Sequence, residues 1–291
     1  MSGSQTNIKV MVRGAYDVQK LRIQMGNRIV ANFKTKLGQA PGEDEEVLDE
    51  DGKRILNDLR VRFRKITDGV KTFPRQAKFK GDEVISSYTE LCLLAQYIEL
   101  EQDEDRHFRR LESVLKEYPI YTDFLEKIRG IGPAMAGVIV SEIDISKAKY
   151  PSSLWKYSGL DVAEDGQGRS RKKEHLVTVK YVNSDGEESE RNSITFSPFL
   201  KAKLVGVLGS SFLRAGDNTY SRIYRGYKNR LENHPAHQEK SKGHRHNMAI
   251  RYMVKQFLAD LYKAWRALEG LPVHPPYSES KLGLMHGDKA A

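Results

Sequence analysis

The sequence of 291 residues has a single cysteine and no long apolar run. Cys92 alone can neither close an internal disulfide nor complete a cysteine-based zinc site, which excludes a disulfide scaffold and a cysteine-type zinc finger. No apolar stretch approaches the roughly 18 residues that a membrane span needs. The N-terminus also lacks the apolar core of a secretory signal. These absences predict an intracellular protein with no membrane partner, cytoplasmic and, in a prokaryote, associated with the nucleoid.

Positive charge is the first feature that is present. Lys and Arg number 48 against 39 Asp and Glu, a net charge of +9. The segment from Lys201 to Gly270 holds 14 Lys/Arg and 5 Asp/Glu, so its excess equals that of the whole chain. Clustered positive charge suits a polyanion, because neutralised phosphates release condensed counterions. The alternative is a solvated basic surface that binds nothing.

Apolar spacing predicts a mainly α-helical protein with a small β-hairpin. Residues 1–118 are expected to form a helical arm or coiled coil, with one short strand-like run at Ile8 to Val12 and an acidic linker at 39–52. The same helices are the predicted contact of a homodimer. A second domain covers residues 119–270, and residues 271–291 form an extended tail. The strands of the hairpin are predicted at Leu176 to Val182 and Ser193 to Ser197, on either side of a turn at Ser184-Asp185-Gly186.

Residues Leu125 to Val140 (LEKIRGIGPAMAGVIV) have the pattern of a helix-hairpin-helix motif. Its glycines permit backbone torsions closed to other residues and leave N–H groups open to a phosphate. Pro133 suits the first helical position, and the helix N-terminus adds unpaired N–H donors. Ile131 is expected to point inward. The alternative is an ordinary helical corner with a glycine cap. The residues predicted to hold a nucleic-acid backbone here are Arg129, Gly130, Ile131, Gly132, Pro133 and Ala134.

Three further basic clusters are predicted to contact phosphates. They are Arg169, Arg171, Lys172 and Lys173; Arg222, Arg225, Lys228 and Arg230; and Lys242 and Arg245. Three tyrosines at positions 220, 224 and 227 alternate with the second cluster along the sequence and share one helix face with each other. They are expected either to stack on unpaired bases or to pack in the core.

The sequence predicts no metal site and no cofactor. Four histidines crowd the segment HPAHQEKSKGHRH, at positions 234, 237, 244 and 246. No carboxylate or cysteine stands at a convincing ligand spacing from them, so a loop that touches phosphates or solvent is preferred over a metal site. No phosphate-binding loop, zinc-protease motif or hydrolase motif is present.

The stretch IRGIGPAMAGVIVSEIDISKAKYPSSLWKYSGL resembles the C-terminal domain of the one-ten/one-sixteen/nine-oh-two family of insertion-sequence transposases. The likeness rests on a fixed order of motifs and covers about residues 120–268. Its parts are Gly130–Pro133, Ala136–Val140, Glu142, Tyr150–Ser153 and Tyr157–Leu160. This resemblance implies a helix-hairpin-helix DNA-binding domain derived from a mobile-element recombinase.

Two departures from that family weaken the case for catalysis. The family's N-terminal RuvC-like domain, with its catalytic acids on strands, has no counterpart in the helical residues 1–118. Its nucleophilic serine corresponds to Gln167, which cannot form a phosphoserine, and Ser170 substitutes only with a shifted loop. The sequence therefore predicts a DNA-binding protein without the family's catalytic residues. The alternatives are an active transposase, recombinase or nuclease, which would need magnesium, and a protein that binds structured RNA.

Overall fold

The structure is a computed structural model that describes residues 3–58, 74–81 and 85–276. Over these residues the chain is mainly α-helical with one two-stranded antiparallel hairpin, which confirms the predicted fold class. No described helix combines the length and apolar content that crossing a bilayer requires.

The elements follow one another in a simple order. The helices are α1 (Gly3–Lys36), α2 (residues 50–58), α3 (Tyr88–Leu115), α4 (Pro133–Glu142), α5 (Pro151–Tyr157), α6 (Pro198–Ala202), α7 (Gly209–Arg214), α8 (Thr219–Asn233) and α9 (Lys242–Leu268). A π-helical turn at Tyr121–Leu125 precedes α4, and a π-helical segment at Lys203–Leu208 joins α6 to α7. The strands are β1 (Val177–Val182) and β2 (Glu188–Ser193).

The chain divides into two compact units. One comprises residues 10–110, and the other comprises residues 1–9 with 111–291. We call them the N-terminal unit and the C-terminal unit. The second of these boundaries lies close to the division after residue 118 that the sequence suggests, and the first nine residues belong to the C-terminal unit.

The N-terminal unit is built on the pairing of α1 and α3. These helices run antiparallel, since Tyr16 meets Phe108 edge to face and Lys36 pairs with Glu90. Their apolar faces form a core cluster of buried residues: Ile29, Phe33, Ile85, Leu91, Leu94, Tyr97 and Ile98. The predicted helical arm is thus a helical hairpin stabilised by burial of one face of each helix.

One local prediction about α1 needs correction. Ile8 to Val12 is part of α1 and forms no strand, because Ile8, Val12 and Ala15 are buried at helical spacing. The predicted acidic linker, residues 39–52, runs from the end of α1 into the first turn of α2; within it Leu48 is buried, and Glu45 pairs with Lys34 at 2.8 Å. α2 continues to residue 58, and residues 59–73 lie outside the described residues.

The C-terminal unit is organised around α9. Its buried side chains include Met253, Phe257, Leu261 and Tyr262, and α8 packs along it. The described part of the predicted tail is tied to the same helix, since Arg266 Nε donates to Pro272 O at 2.6 Å. Residues 277–291 of that tail lie outside the described residues.

The β-hairpin exists, but its second strand lies earlier than predicted. β1 agrees with the expected Leu176 to Val182, whereas β2 covers Glu188–Ser193 instead of Ser193 to Ser197. The turn is tight: Asn183 N–H donates to Glu187 O at 2.9 Å, with Gly186 at φ +82°. β2 (ESERNS) is polar throughout and its side chains are mostly exposed, so no apolar alternation marks it in the sequence.

Candidate nucleic-acid interface

The bend at Gly130 is held tightly against α7. Gly130 has φ +102°, and a Cβ there would lie 3.0 Å from Cδ1 of Phe212. Its carbonyl accepts a hydrogen bond from Ser211 Oγ at 2.7 Å. Leu125, at the end of the π-helical turn, is fully buried. This glycine is therefore required both by its backbone torsion and by the close approach of an aromatic ring.

Gly132 differs from Gly130 in every one of these respects. Its backbone is extended (φ −102°, ψ 175°), and open space surrounds the position of a Cβ. It caps α4, with Pro133 at the first helical position. Within the described chain, the N–H groups of Gly132 and Ala134 meet no hydrogen-bond acceptor. Ile131 is half-buried, so it does not point fully inward as predicted. The bend thus leaves donors open at its exposed end.

A cavity of about 650 Å³ lies between residues 124–129, which lead into the bend, and the helices α8 and α9. Four exposed cations line it: Lys127, Arg129, Arg222 and Lys263. The carboxylate in its wall is Asp260, which accepts a hydrogen bond from Tyr220 Oη at 3.2 Å. We call this the hairpin cavity. The tertiary structure here brings together Arg129 and Arg222, which are far apart in the sequence, and adds two lysines that sequence reasoning missed.

The α8 cluster is only partly available to a ligand. Arg225 pairs with Asp217, and Arg222 lies 4.0 Å from the same carboxylate. Lys228 lies 3.9 Å from Glu232, and Arg230 is exposed. Surface pairs such as these contribute little to stability and give way readily to a phosphate.

The tyrosines of α8 divide between core and surface. Tyr220 and Tyr224 are buried, which confirms the core alternative for these two. Tyr220 stacks on Phe212 with ring centroids 4.6 Å apart, and burial raises its pKa well above the usual value. Tyr227 is half-buried and stacks on Tyr252 at 4.0 Å, with the rings within 10° of parallel. Tyr220 lies in the wall of the hairpin cavity, and Tyr227 lines a separate cavity.

The loop of residues 168–173 has a mixed character. Arg169 donates to Asp161 Oδ2 at 2.9 Å, so its guanidinium is already paired, whereas Arg171, Lys172 and Lys173 are exposed.

Arg245 is likewise engaged, because its Nη1 donates to main-chain oxygens of the segment just before α9, including His237 O at 3.2 Å. Lys242 is exposed. Binding of nucleic acid by these residues stays a prediction.

Ser170 is part of an arrangement that the sequence does not reveal. Its Oγ lies 2.8 Å from His175 Nδ1, and His175 Nε2 lies 3.0 Å from Asp165 Oδ2. Ser170 N–H also donates to Nδ1 at 3.0 Å, so that nitrogen is an acceptor and the proton is on Nε2. The hydrogen bond from His175, together with the Gln167 N–H, lowers the pKa of Asp165. The spacings of five and ten residues along the chain match no common motif. The proximity of Ser170, His175 and Asp165 is therefore visible only in the folded structure.

The histidine-rich segment shows no metal cage. Within the described ranges, no group of three or more His, Cys, Asp or Glu side chains is arranged to hold a metal ion. His246 Nδ1 lies 2.6 Å from Tyr224 Oη, and His234 and His237 lie ring to ring at 5.3 Å. Burial, then Lys240, lowers the pKa of His237.

No family model matches the sequence, and no curated protein matches it. The likeness to the transposase domain therefore remains a resemblance of motifs.

Proposed function

We propose that this protein binds DNA through its sugar-phosphate backbone, with the glycine bend and the hairpin cavity as the contact surface. The observation that carries the proposal is the hairpin cavity. Four exposed cations from three separate elements converge there on one concave surface with a single carboxylate in its wall. Arginine and lysine side chains so grouped neutralise several phosphates at once.

The bend adds donors of a second kind. The N–H groups of Gly132 and Ala134, which have no acceptor within the described chain, stand at the positive end of the α4 dipole, where anions are favoured. Backbone donors recognise phosphates without reading bases. The expected binding is therefore directed by the shape of the DNA more than by its sequence.

The salt dependence of binding tests the proposal. With about four phosphates neutralised, the logarithm of the association constant should fall with the logarithm of salt concentration with a slope of about −4. Arg129→Gln and Arg222→Gln should each reduce the slope by about 1. Lys147→Gln is the matched control, because Lys147 is an exposed lysine paired with Asp144 at 3.5 Å and stands outside the cavity. A flat salt response of the wild type would refute the proposal.

Gly132→Val tests the backbone donors separately. The extended torsions and open surroundings of Gly132 accept a side chain, so the variant should fold normally while its branched side chain shields the N–H groups. We expect about a tenfold loss of affinity, equal for all DNA sequences. A gel-shift panel of several DNA forms and structured RNA tests the RNA alternative, which tighter binding of RNA than of any DNA form would favour.

A second candidate function rests on the Ser170–His175–Asp165 arrangement. A hydroxyl held at 2.8 Å from an unprotonated imidazole nitrogen is placed to lose its proton to that nitrogen. A phosphodiester nuclease or recombinase would use Ser170 Oγ as nucleophile and His175 as base. In the same panel, nicked or covalently trapped DNA that Ser170→Ala and His175→Gln both abolish would establish it. Intact DNA, with and without magnesium, would leave binding as the sole function.

A further inference from the structure

A second cavity, at the C-terminal half of α8, has no place in the function proposed above. It measures about 440 Å³, within the range of roughly 300–1,000 Å³ that small-ligand sites occupy. Its walls are the glycine-rich loop of residues 160–168, the second half of α8 and the first four turns of α9. We call it the loop cavity.

Two cations in the loop cavity are sheltered from water and lack acidic partners. Arg251 reaches only main-chain oxygens, Gly159 O at 3.2 Å and Asp161 O at 3.5 Å. The ammonium of Lys255 lies 5.4 Å from the ring centroid of Trp155. Neither side chain forms an ion pair with any part of the chain that the structure describes. Lys240 adds a further positive charge to the lining.

The nearby acid offsets this charge only in part. Asp161 already pairs with Arg169 at 2.9 Å, and its second oxygen, Oδ1, is buried without a hydrogen-bond partner. Burial lowers the pKa of both Arg251 and Lys255, and the charge of Arg251 lowers that of Lys255 further; the charge of Asp161 acts against both effects without reversing either shift. Two sheltered cations that repel each other are a destabilised arrangement, which an incoming anion would relieve.

Glycine at position 168 is what allows this arrangement. A Cβ there would lie 2.8 Å from Nη2 of Arg251, so any other residue would displace the guanidinium. Gly166, with φ +75°, shapes the same wall. The loop that carries the predicted basic residues therefore also surrounds the guanidinium of Arg251, which lies outside every predicted basic cluster.

An aromatic wall completes the loop cavity. Tyr227 and Tyr252 line it and stack face to face, with ring centroids 4.0 Å apart, so that each ring restricts the movement of the other. A rigid aromatic surface beside sheltered cations matches the two parts of a nucleotide, a base that stacks and a phosphate that needs counter-charge. Inorganic phosphate alone would leave the aromatic wall unused.

We infer that the loop cavity binds one unpaired nucleotide of a bound DNA strand, with its phosphate between Arg251 and Lys255 and its base against Tyr252. This inference rests on the proposed function, since the rest of the strand is held at the bend. It narrows the ligand to DNA that carries an unpaired end, fork or flap.

Binding of a blunt duplex, of the same duplex with a short unpaired overhang, and of one whose overhang is abasic tests this inference. Wild-type protein should bind the duplex with the intact overhang roughly tenfold more tightly than the blunt duplex or the duplex with the abasic overhang. Neither of these two offers an unpaired base that can stack. Lys255→Met and Tyr252→Leu should remove the preference and leave blunt-duplex affinity within about twofold, whereas Tyr252→Phe should keep it.

Lys263→Met is the matched control on the same helix. Lys263 lies in the hairpin cavity, so this variant should weaken both substrates equally and leave the preference intact. Thermal melting of each variant checks that it is folded. Two results would overturn the inference while the proposed function stands. One is a preference for the overhang that survives Lys255→Met, and the other is a wild type that binds the blunt duplex and the overhang duplex equally.

Failure of the proposed function gives a different result. Wild-type protein would then bind none of the DNA forms. A calorimetric titration with adenosine 5′-monophosphate distinguishes a free nucleotide as the source of the ligand. Saturable binding that Lys255→Met abolishes, in a protein that binds no DNA, would show a small-molecule site and overturn the inference of a bound strand.

Discussion

The two units of this protein differ in whether some of their sheltered cations have an acidic partner. In the N-terminal unit the sheltered cations are paired: Arg22 lies 2.5 Å from Glu104, and Lys36 lies 3.0 Å from Glu90. In the C-terminal unit, Arg251 and Lys255 are sheltered without an acidic partner among the described residues. A cation that is paired with a carboxylate has its charge compensated within the fold. A sheltered cation without an ion pair is available to bind an anionic ligand. This difference supports the proposal that binding occurs in the C-terminal unit.

The largest expected effect comes from breaking a pair in the N-terminal unit. Glu104→Gln leaves Arg22 without its counter-charge, although Tyr97 Oη at 2.8 Å still accepts from it. We expect the free energy of unfolding of this unit to fall by about 3 kcal/mol. Urea denaturation with hydrogen exchange of α1 and α3 measures it.

Two controls accompany that variant. Glu50→Gln changes an acid that is 93% exposed and paired with Lys53, so it should leave stability unchanged. DNA affinity should not change in either variant. A loss of DNA binding by folded Glu104→Gln would contradict the assignment of the two roles to separate units.

An intermediate effect is expected where the two glycines of the bend are compared. Gly130→Ala combines a strained positive φ with a 3.0 Å contact to Phe212, and it should destabilise the C-terminal unit by about 2 kcal/mol. Gly132→Ala should be neutral or slightly stabilising, because its torsions suit any residue. Thermal unfolding of the two variants side by side checks this, and equal losses would show that the bend is not held as described.

The smallest effect concerns Lys255, whose lowered pKa predicts a pH dependence of stability. Between that lowered pKa and the usual value of about 10.4, the unfolded state binds more protons, so stability rises with pH. Below it, the penalty of burying the charge is present in full. Lys255→Met should therefore be more stable than wild type by about 1 kcal/mol at neutral pH, with a difference that shrinks in alkali.

Urea denaturation at a series of pH values measures this difference. Lys263→Met, a change at an exposed lysine of α9, should show no such trend. A Lys255→Met variant that is less stable than wild type at neutral pH would mean that this lysine is a paired structural cation after all.

Much of the fold could be predicted from the sequence, because helical periodicity and glycine or proline at helix ends are local signals. The spacing of Ile29 and Phe33 predicts the buried face of α1, and Pro133 after two glycines predicts the start of α4. The position of the second strand cannot be predicted in this way, because its polar residues show no alternation of apolar and polar side chains. The sequence also does not decide whether Tyr220 and Tyr224 lie in the core, because a tyrosine on a helix face suits either the core or a ligand surface.

By itself, the sequence determined where the positive charge lies and that a tight glycine bend precedes a helix of small residues. Only the tertiary structure decided which cations are engaged in internal contacts and which are available to a ligand. Arg169 and Arg245 were predicted to bind and are engaged internally, whereas Arg251 and Lys255 stood out in no motif and line a cavity. The physical reason is that a charge is neutralised by neighbours in space, and residues such as Gly168 and Arg251 become neighbours only when the chain has folded.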